Sequence, residues 1–172
     1  MVRGSPNPRH LGLPARLRKA RKTAGLTRTA LALKVGGDQT TALDIETEQR
    51  LPTVRTIARL ASALGVAAGW LAYGLGDMMA DGPAATTDGM AERLQAVRIE
   101  RELTKAALAR LVNLTPSTVG DIEKGAQSGV EVIEALAKAL DVSSAWLAFN
   151  QGPQLLPKRR RVIKLPTPTH AE

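Results

Sequence analysis

"GGDQTTALDIE", residues 36–46, reads as a turn followed by a short helix, and the chain repeats it. "NLTPSTVGDIE", residues 113–123, has the same shape and ends in the same Asp-Ile-Glu. In the second copy Thr115 stands at an N-cap, and Pro116 falls at the first helical position, where its missing N–H costs nothing. Asp38 takes the N-cap place in the first copy. In both, aliphatic residues stand at matching positions: Ala42 and Ile45 in one, Val119 and Ile122 in the other.

The likeness extends outward on both sides. Leu17, Arg21, Leu26-Thr27, Leu31-Ala32 and Asp44-Ile45-Glu46 recur 77 residues later as Leu94, Arg98, Leu103-Thr104, Leu108-Ala109 and Asp121-Ile122-Glu123. One residue is then lost. Leu60-Ala61, Leu64, Val66 and Trp70-Leu71 recur 76 residues later as Leu136-Ala137, Leu140, Val142 and Trp146-Leu147. The chain therefore divides into a basic arm over 1–13 expected to be disordered, a first unit over 14–73, a linker over 74–89, a second unit over 90–150, and a basic, Pro-containing tail over 151–172. Units of about 60 residues are small but within the range where helical domains fold alone.

Each unit has helical periodicity. Leu17, Ala20 and Ala24 share a face, and Leu94 and Val97 repeat it. Thr27 and Thr104 sit where a hydroxyl would cap a second helix. "GG" and "NL" separate helices two and three by about three residues, the spacing of a helix-turn-helix. Further helices are expected near 54–64 and 130–140, and a short last one carries Trp70 or Trp146. The expected fold is all-α, two tandem five-helix units joined by a flexible linker.

Composition agrees. The 172 residues are 44% hydrophobic but only 2% aromatic, and the apolar residues are mostly Ala, Leu and Val, which suits helices better than strands. The net charge of +8 favours an acidic partner, nucleic acid first. There is no Cys, hence no disulfide or thiolate zinc site. No apolar run is long enough to span a membrane, and the N-terminus lacks the apolar core of a secretory signal. His10 and His170 lie in opposite tails, so no metal site is read. No phosphate-binding Gly-rich loop or activated nucleophile appears, so neither an enzyme nor a cofactor is expected. A cytoplasmic protein, nucleoid-associated when bound to DNA, is the expected setting.

Each unit resembles the Cro/lambda-repressor-like, or XRE-type, helix-turn-helix family. The first unit carries this in Arg21, Gly25-Leu26-Thr27, Leu31-Ala32, Ile45-Glu46, Pro52, Leu60-Ala61 through Val66, and Trp70-Leu71; the second repeats most of it. The resemblance implies that the third helix lies in the DNA major groove while the second crosses the backbone. Carried over by residue, Gln39, Thr40, Leu43 and Asp44 would face bases in the first unit, and Ser117 and Asp121 in the second. Gln39 suits adenine N6/N7, and Asp44 could accept from cytosine N4. Thr27, Arg28, Arg50, Arg55 and Lys105 would contact phosphates. Arg21–Glu46 and Arg98–Glu123 would be structural ion pairs tying helix one to helix three. Two departures stand out: Arg28 and Lys105 replace the family's frequent Gln, and "ETEQ" lacks the Gly that the second unit keeps at Gly125.

The two units differ in charge. Residues 15–73 hold 10 Lys/Arg and 4 Asp/Glu, net +6, whereas residues 91–149 hold 7 and 8, net −1. Pro116 and Gly120, standing in place of Gln39 and Leu43, read no base edge. The first unit is therefore expected to be the main DNA reader and the second a supporting, packing or dimerisation partner. The alternative is that both bind, one chain covering two half-sites like a fused dimer. A 16-residue linker of about 20–24 Å root-mean-square span does not separate these readings. Trp70 and Trp146 are candidates for core packing or for an interface. The tail "PKRRRVIKL" reads as a solvated run, a DNA-contacting arm, or a pairing strand.

The resemblance points to a sequence-specific DNA-binding transcriptional regulator, a repressor of bacterial, phage or mobile-element type. Expected partners are double-stranded DNA and a second copy of the chain, with no membrane. The rival is a protein-interaction module, an antitoxin or anti-activator, that takes a protein partner through the second unit or the tail.

Overall fold

The Ala- and Leu-rich segments wind into ten helices among the residues that the computed structural model describes, 12–37, 40–79 and 84–155. The first unit contains α1 (Leu13–Thr23), α2 (Arg28–Val35), α3 (Thr41–Glu46), α4 (Val54–Leu64) and α5 (Ala68–Tyr73). The second contains α6 (Met90–Glu100), α7 (Lys105–Leu111), α8 (Pro116–Ile122), α9 (Val130–Ala139) and α10 (Ser144–Phe149). The basic arm through Leu11, Asp38, Gln39 and the tail from Leu156 onward lie outside the described residues.

Short helices need capped ends, and the hydroxyls supply caps. Thr27 Oγ1 accepts from Ala30 N at 3.1 Å, and Thr104 Oγ1 from Ala107 N at 3.1 Å. Thr115 Oγ1 accepts from Thr118 N at 3.2 Å ahead of Pro116. The turns run over residues 36–40 and 112–115, longer than the spacing suggested, because α3 starts only at Thr41 and α7 ends already at Leu111.

The two units repeat each other in backbone detail. Glu102, Asn113, Asp141 and Asn150 adopt positive φ where the first unit has Gly25, Gly36, Gly65 and Gly74. The reverse holds at one place: Glu48 has φ 61° where the second unit has Gly125 at 94°. Glu48 thus makes the turn that the missing glycine put in question, and Gln49 N still reaches Asp44 O at 2.8 Å, as Ala126 N reaches Asp121 O at 2.9 Å. The repeat also runs past α5 and α10. Ala67 N donates to Met78 O at 2.9 Å, and Ser143 N to Gln154 O at 2.7 Å. The first residues of the expected linker, and of the expected tail, are therefore fastened to their own units.

One hydrophobic core runs through both units. It includes Leu17, Leu31, Ile45, Ile57 and Leu71 from the first, and Leu94, Leu108, Ile122, Ile133 and Leu147 from the second. Helix α5 packs directly on α10, its equivalent in the other unit. Val54 N donates to Ser128 O at 3.0 Å, and Val130 N to Pro52 O at 3.1 Å. Replacing each residue by its equivalent 76 positions away turns one bond into the other, the signature of a two-fold contact in which i meets j and j meets i. Thr53 and Gly129, equivalent residues, face each other as an antiparallel bridge on that axis. So do the rings of Tyr73 and Phe149, with centroids 6.2 Å apart. The tandem repeat folds as an intramolecular two-fold pair.

Candidate nucleic-acid interface

Helix α3 divides its side chains between core and solvent. Ala42 and Ile45 are buried, while Thr40 and Leu43 are exposed and Asp44 is half-buried. Gln39 lies outside the described residues. In α8, Val119 and Ile122 are buried, and Ser117 and Asp121 are exposed. Gly120 replaces Leu43 there and is covered by the Lys105 side chain. The first unit therefore presents a protruding apolar side chain mid-helix where the second presents none.

Glu46 fixes α3 from beneath. Its side chain is fully buried, and Arg21 grips it with two bonds, Nε–Oε1 at 2.6 Å and Nη2–Oε2 at 3.1 Å. Arg28 Nε reaches Oε2 at 2.8 Å. Arg18 adds a bond to the Glu46 carbonyl at 3.3 Å. Burial alone would push this carboxyl up; the hydrogen bonds and charges of Arg21 and Arg28 outweigh it and hold Glu46 below the usual carboxylate range. The bond to Glu46 likewise raises Arg21 above its ordinary value, against the effect of burial. In the second unit Arg98 grips Glu123 in the same bidentate way, at 2.5 and 3.1 Å. Lys105 Nζ lies 3.5 Å from Glu123 Oε2, the counterpart of Arg28.

Arg28 and Lys105 are thus joined to the buried glutamates as well as standing at the start of α2 and α7. Their side chains remain 42% and 43% exposed, so each can still turn charge outward. Thr27 uses its hydroxyl as a cap. Arg50 and Arg55 are exposed around the start of α4. Trp70 and Trp146 are partly buried against the core.

Some functional arginines carry a signal that could have been read. Arg16 and Arg93 are 77 residues apart, like the other repeat pairs. Arg16 donates to Leu71 O and Ala72 O at 2.9 and 2.8 Å, and Arg93 to Leu147 O and Ala148 O at 3.1 and 3.3 Å. They satisfy the orphan carbonyls that end α5 and α10. Burial lowers both guanidinium pKa values, against the opposing charges of Glu134 on Arg16 and Glu92 on Arg93. Arg59 bonds Val35 O, and Gly36 O at 3.2 Å, bracing the turn between α2 and α3. Arg18 and Arg59 have no repeat partner of their kind, so comparing the units could not reveal them.

No group of three or more His, Cys, Asp or Glu placed to hold a metal occurs among the described residues. No helix among them is long and apolar enough to cross a membrane.

The folded units and their buried Arg–Glu ties define a class: a helix-turn-helix protein carrying two copies of the motif. Residues 17–71 and 94–147 each match the helix-turn-helix family, and the chain belongs to that family, of the XRE type. The family is one of DNA-binding regulators. No curated protein and no solved structure matches the chain.

Proposed function

We propose that the chain is a sequence-specific transcriptional repressor, of bacterial, phage or mobile-element type, that reads the major groove with α3. One observation carries this reading: Thr40, Leu43 and Asp44 are solvent-accessible on a helix anchored from beneath by Glu46. Arg50 and Arg55, exposed around the start of α4, are available for phosphates. The net +6 of this unit adds the counterion release that drives binding. In this reading Asp44 accepts from cytosine N4, and Leu43 makes an apolar contact such as a thymine methyl offers. Gln39, from its place in the sequence, would add an adenine contact. Repression follows if the bound site overlaps a promoter, since the chain then occludes polymerase.

The test is competition binding. A duplex selected from promoter-proximal DNA should outcompete random duplex by at least about 10³-fold at ~0.15 M salt. Equal binding of both would refute the reading.

A further inference from the structure

We propose that one chain is a complete two-fold reader whose target is a non-palindromic duplex, two unlike half-sites bound by a single copy. This rests on the reading above that α3 enters the major groove.

A two-fold rotation keeps every point at its own height along the axis. Helices α3 and α8 are equivalents under the rotation that relates Thr53 to Gly129 and Tyr73 to Phe149. They therefore stand at one level on either side of the axis, as in a symmetric dimer bound to paired half-sites. In such a dimer the halves are identical, so the target is a palindrome. Here they differ. Asp44 and Asp121 are the same residue at equivalent places, and Thr40 and Ser117 both offer a hydroxyl, but Leu43 corresponds to Gly120. The half-sites should share the base read by the aspartate and differ at the base facing Leu43.

The interface is also built for unlike partners. A Cβ placed on Gly69 would lie 2.5 Å from the Ala145 Cβ, so the pair accommodates one methyl group and not two. Gly69 N donates to Gln151 Oε1 at 2.9 Å; the equivalent of Gln151 is Leu75, which cannot return that bond. Tyr73 donates its hydroxyl to Val130 O at 3.3 Å, and its equivalent, Phe149, has none. Two second units facing each other would set Ala145 against Ala145. Two first units would lack Gln151. The surface that a homodimer would use is occupied within the chain.

The experiment is selection by the full-length chain from duplexes with about 30 random base pairs, three helical turns at about 10 base pairs each. Native mass spectrometry of the enriched duplex then gives the number of chains bound. The expected motif has two unlike halves, centred about 10 base pairs apart, with one chain per duplex. Asp44→Ala should weaken binding about tenfold by relaxing one half, and Asp121→Ala should relax only the other. Circular dichroism confirms that both variants fold. A palindrome holding two chains would overturn the inference, since the chain then pairs with a second copy. A single half-site, relaxed by Asp44→Ala alone, would overturn it while leaving α3 as the reader. No enrichment at all would remove both readings together.

Discussion

Gly69 and Ala145 occupy the same place in the two repeats and face each other across the axis, with room between them for one methyl group. Gly69→Ala adds a second methyl to a filled space. Overpacking costs about 1–3 kcal/mol, against which alanine's better helix propensity returns up to about 1 kcal/mol. Ala145→Gly removes the methyl and loses that propensity. The double variant restores one methyl group to the pair. Chemical denaturation of all four proteins should show a coupling of at least about 0.5 kcal/mol in favour of the double variant. Strict additivity would mean that the two residues do not meet.

The buried Glu46 carboxylate depends on its arginines. Arg21→Ala leaves the charge enclosed with its bidentate partner gone, and should destabilise the protein by about 3–5 kcal/mol in urea unfolding. Arg28→Ala, at a half-exposed partner, should cost only about 0–1 kcal/mol.

The Glu46 pKa is depressed in the folded state, so its stabilising contribution is present above the unfolded value of about 4.3. It is lost as the pH falls through the lower native value. Thermal melting between pH 6 and pH 2 should therefore fall at the acid end. That acid-end loss should be smaller in Glu46→Gln, whose side chain does not titrate.

Glu48 holds a left-handed conformation at φ 61°, where its equivalent in the other unit is Gly125. A residue with a Cβ is disfavoured there by about 1–2 kcal/mol. Glycine removes that strain but gives the unfolded chain more freedom. Glu48→Gly should stabilise the protein by about 0.5–1 kcal/mol, raising Tm by about 1–4 °C in calorimetry.

Phosphate and base contacts should separate by salt and by sequence. Arg55→Ala should weaken binding to every duplex alike and reduce the slope of log K against log salt by about 1. Asp44→Ala should change which base is preferred and leave that slope nearly unaltered. Filter binding across a salt series distinguishes them.

The comparison of the chain with itself made the ten helices legible, and the family resemblance made the Arg–Glu ties so. Leu, Ala, Thr and Glu recur at fixed spacings because each unit must bury the same face and cap the same ends. The contact between the units was not legible, because the residues on its axis had diverged. Tyr73 became Phe149, Gly69 became Ala145 and Thr53 became Gly129, so the residues that face each other across the axis are unlike. Shape and hydrogen bonding between unlike residues leave no repeated letter to find. The ties of Arg28 and Lys105 to the buried glutamates were hidden for another reason. An exposed cation at a helix start suits a phosphate and a carboxylate equally well, and only the position of α3 brings the carboxylate within reach. The charge difference between the units was visible, but it gives no hint that they share one core.

Hydroxyl-radical footprinting of the full chain on a selected duplex, at about 0.15 M salt, tests the central claim most directly. The expected result is protection of two segments about one helical turn apart on one face of the DNA, with about tenfold more protein needed for the same protection in Asp44→Ala. Uniform protection along the duplex, or a titration unchanged by Asp44→Ala, would contradict it.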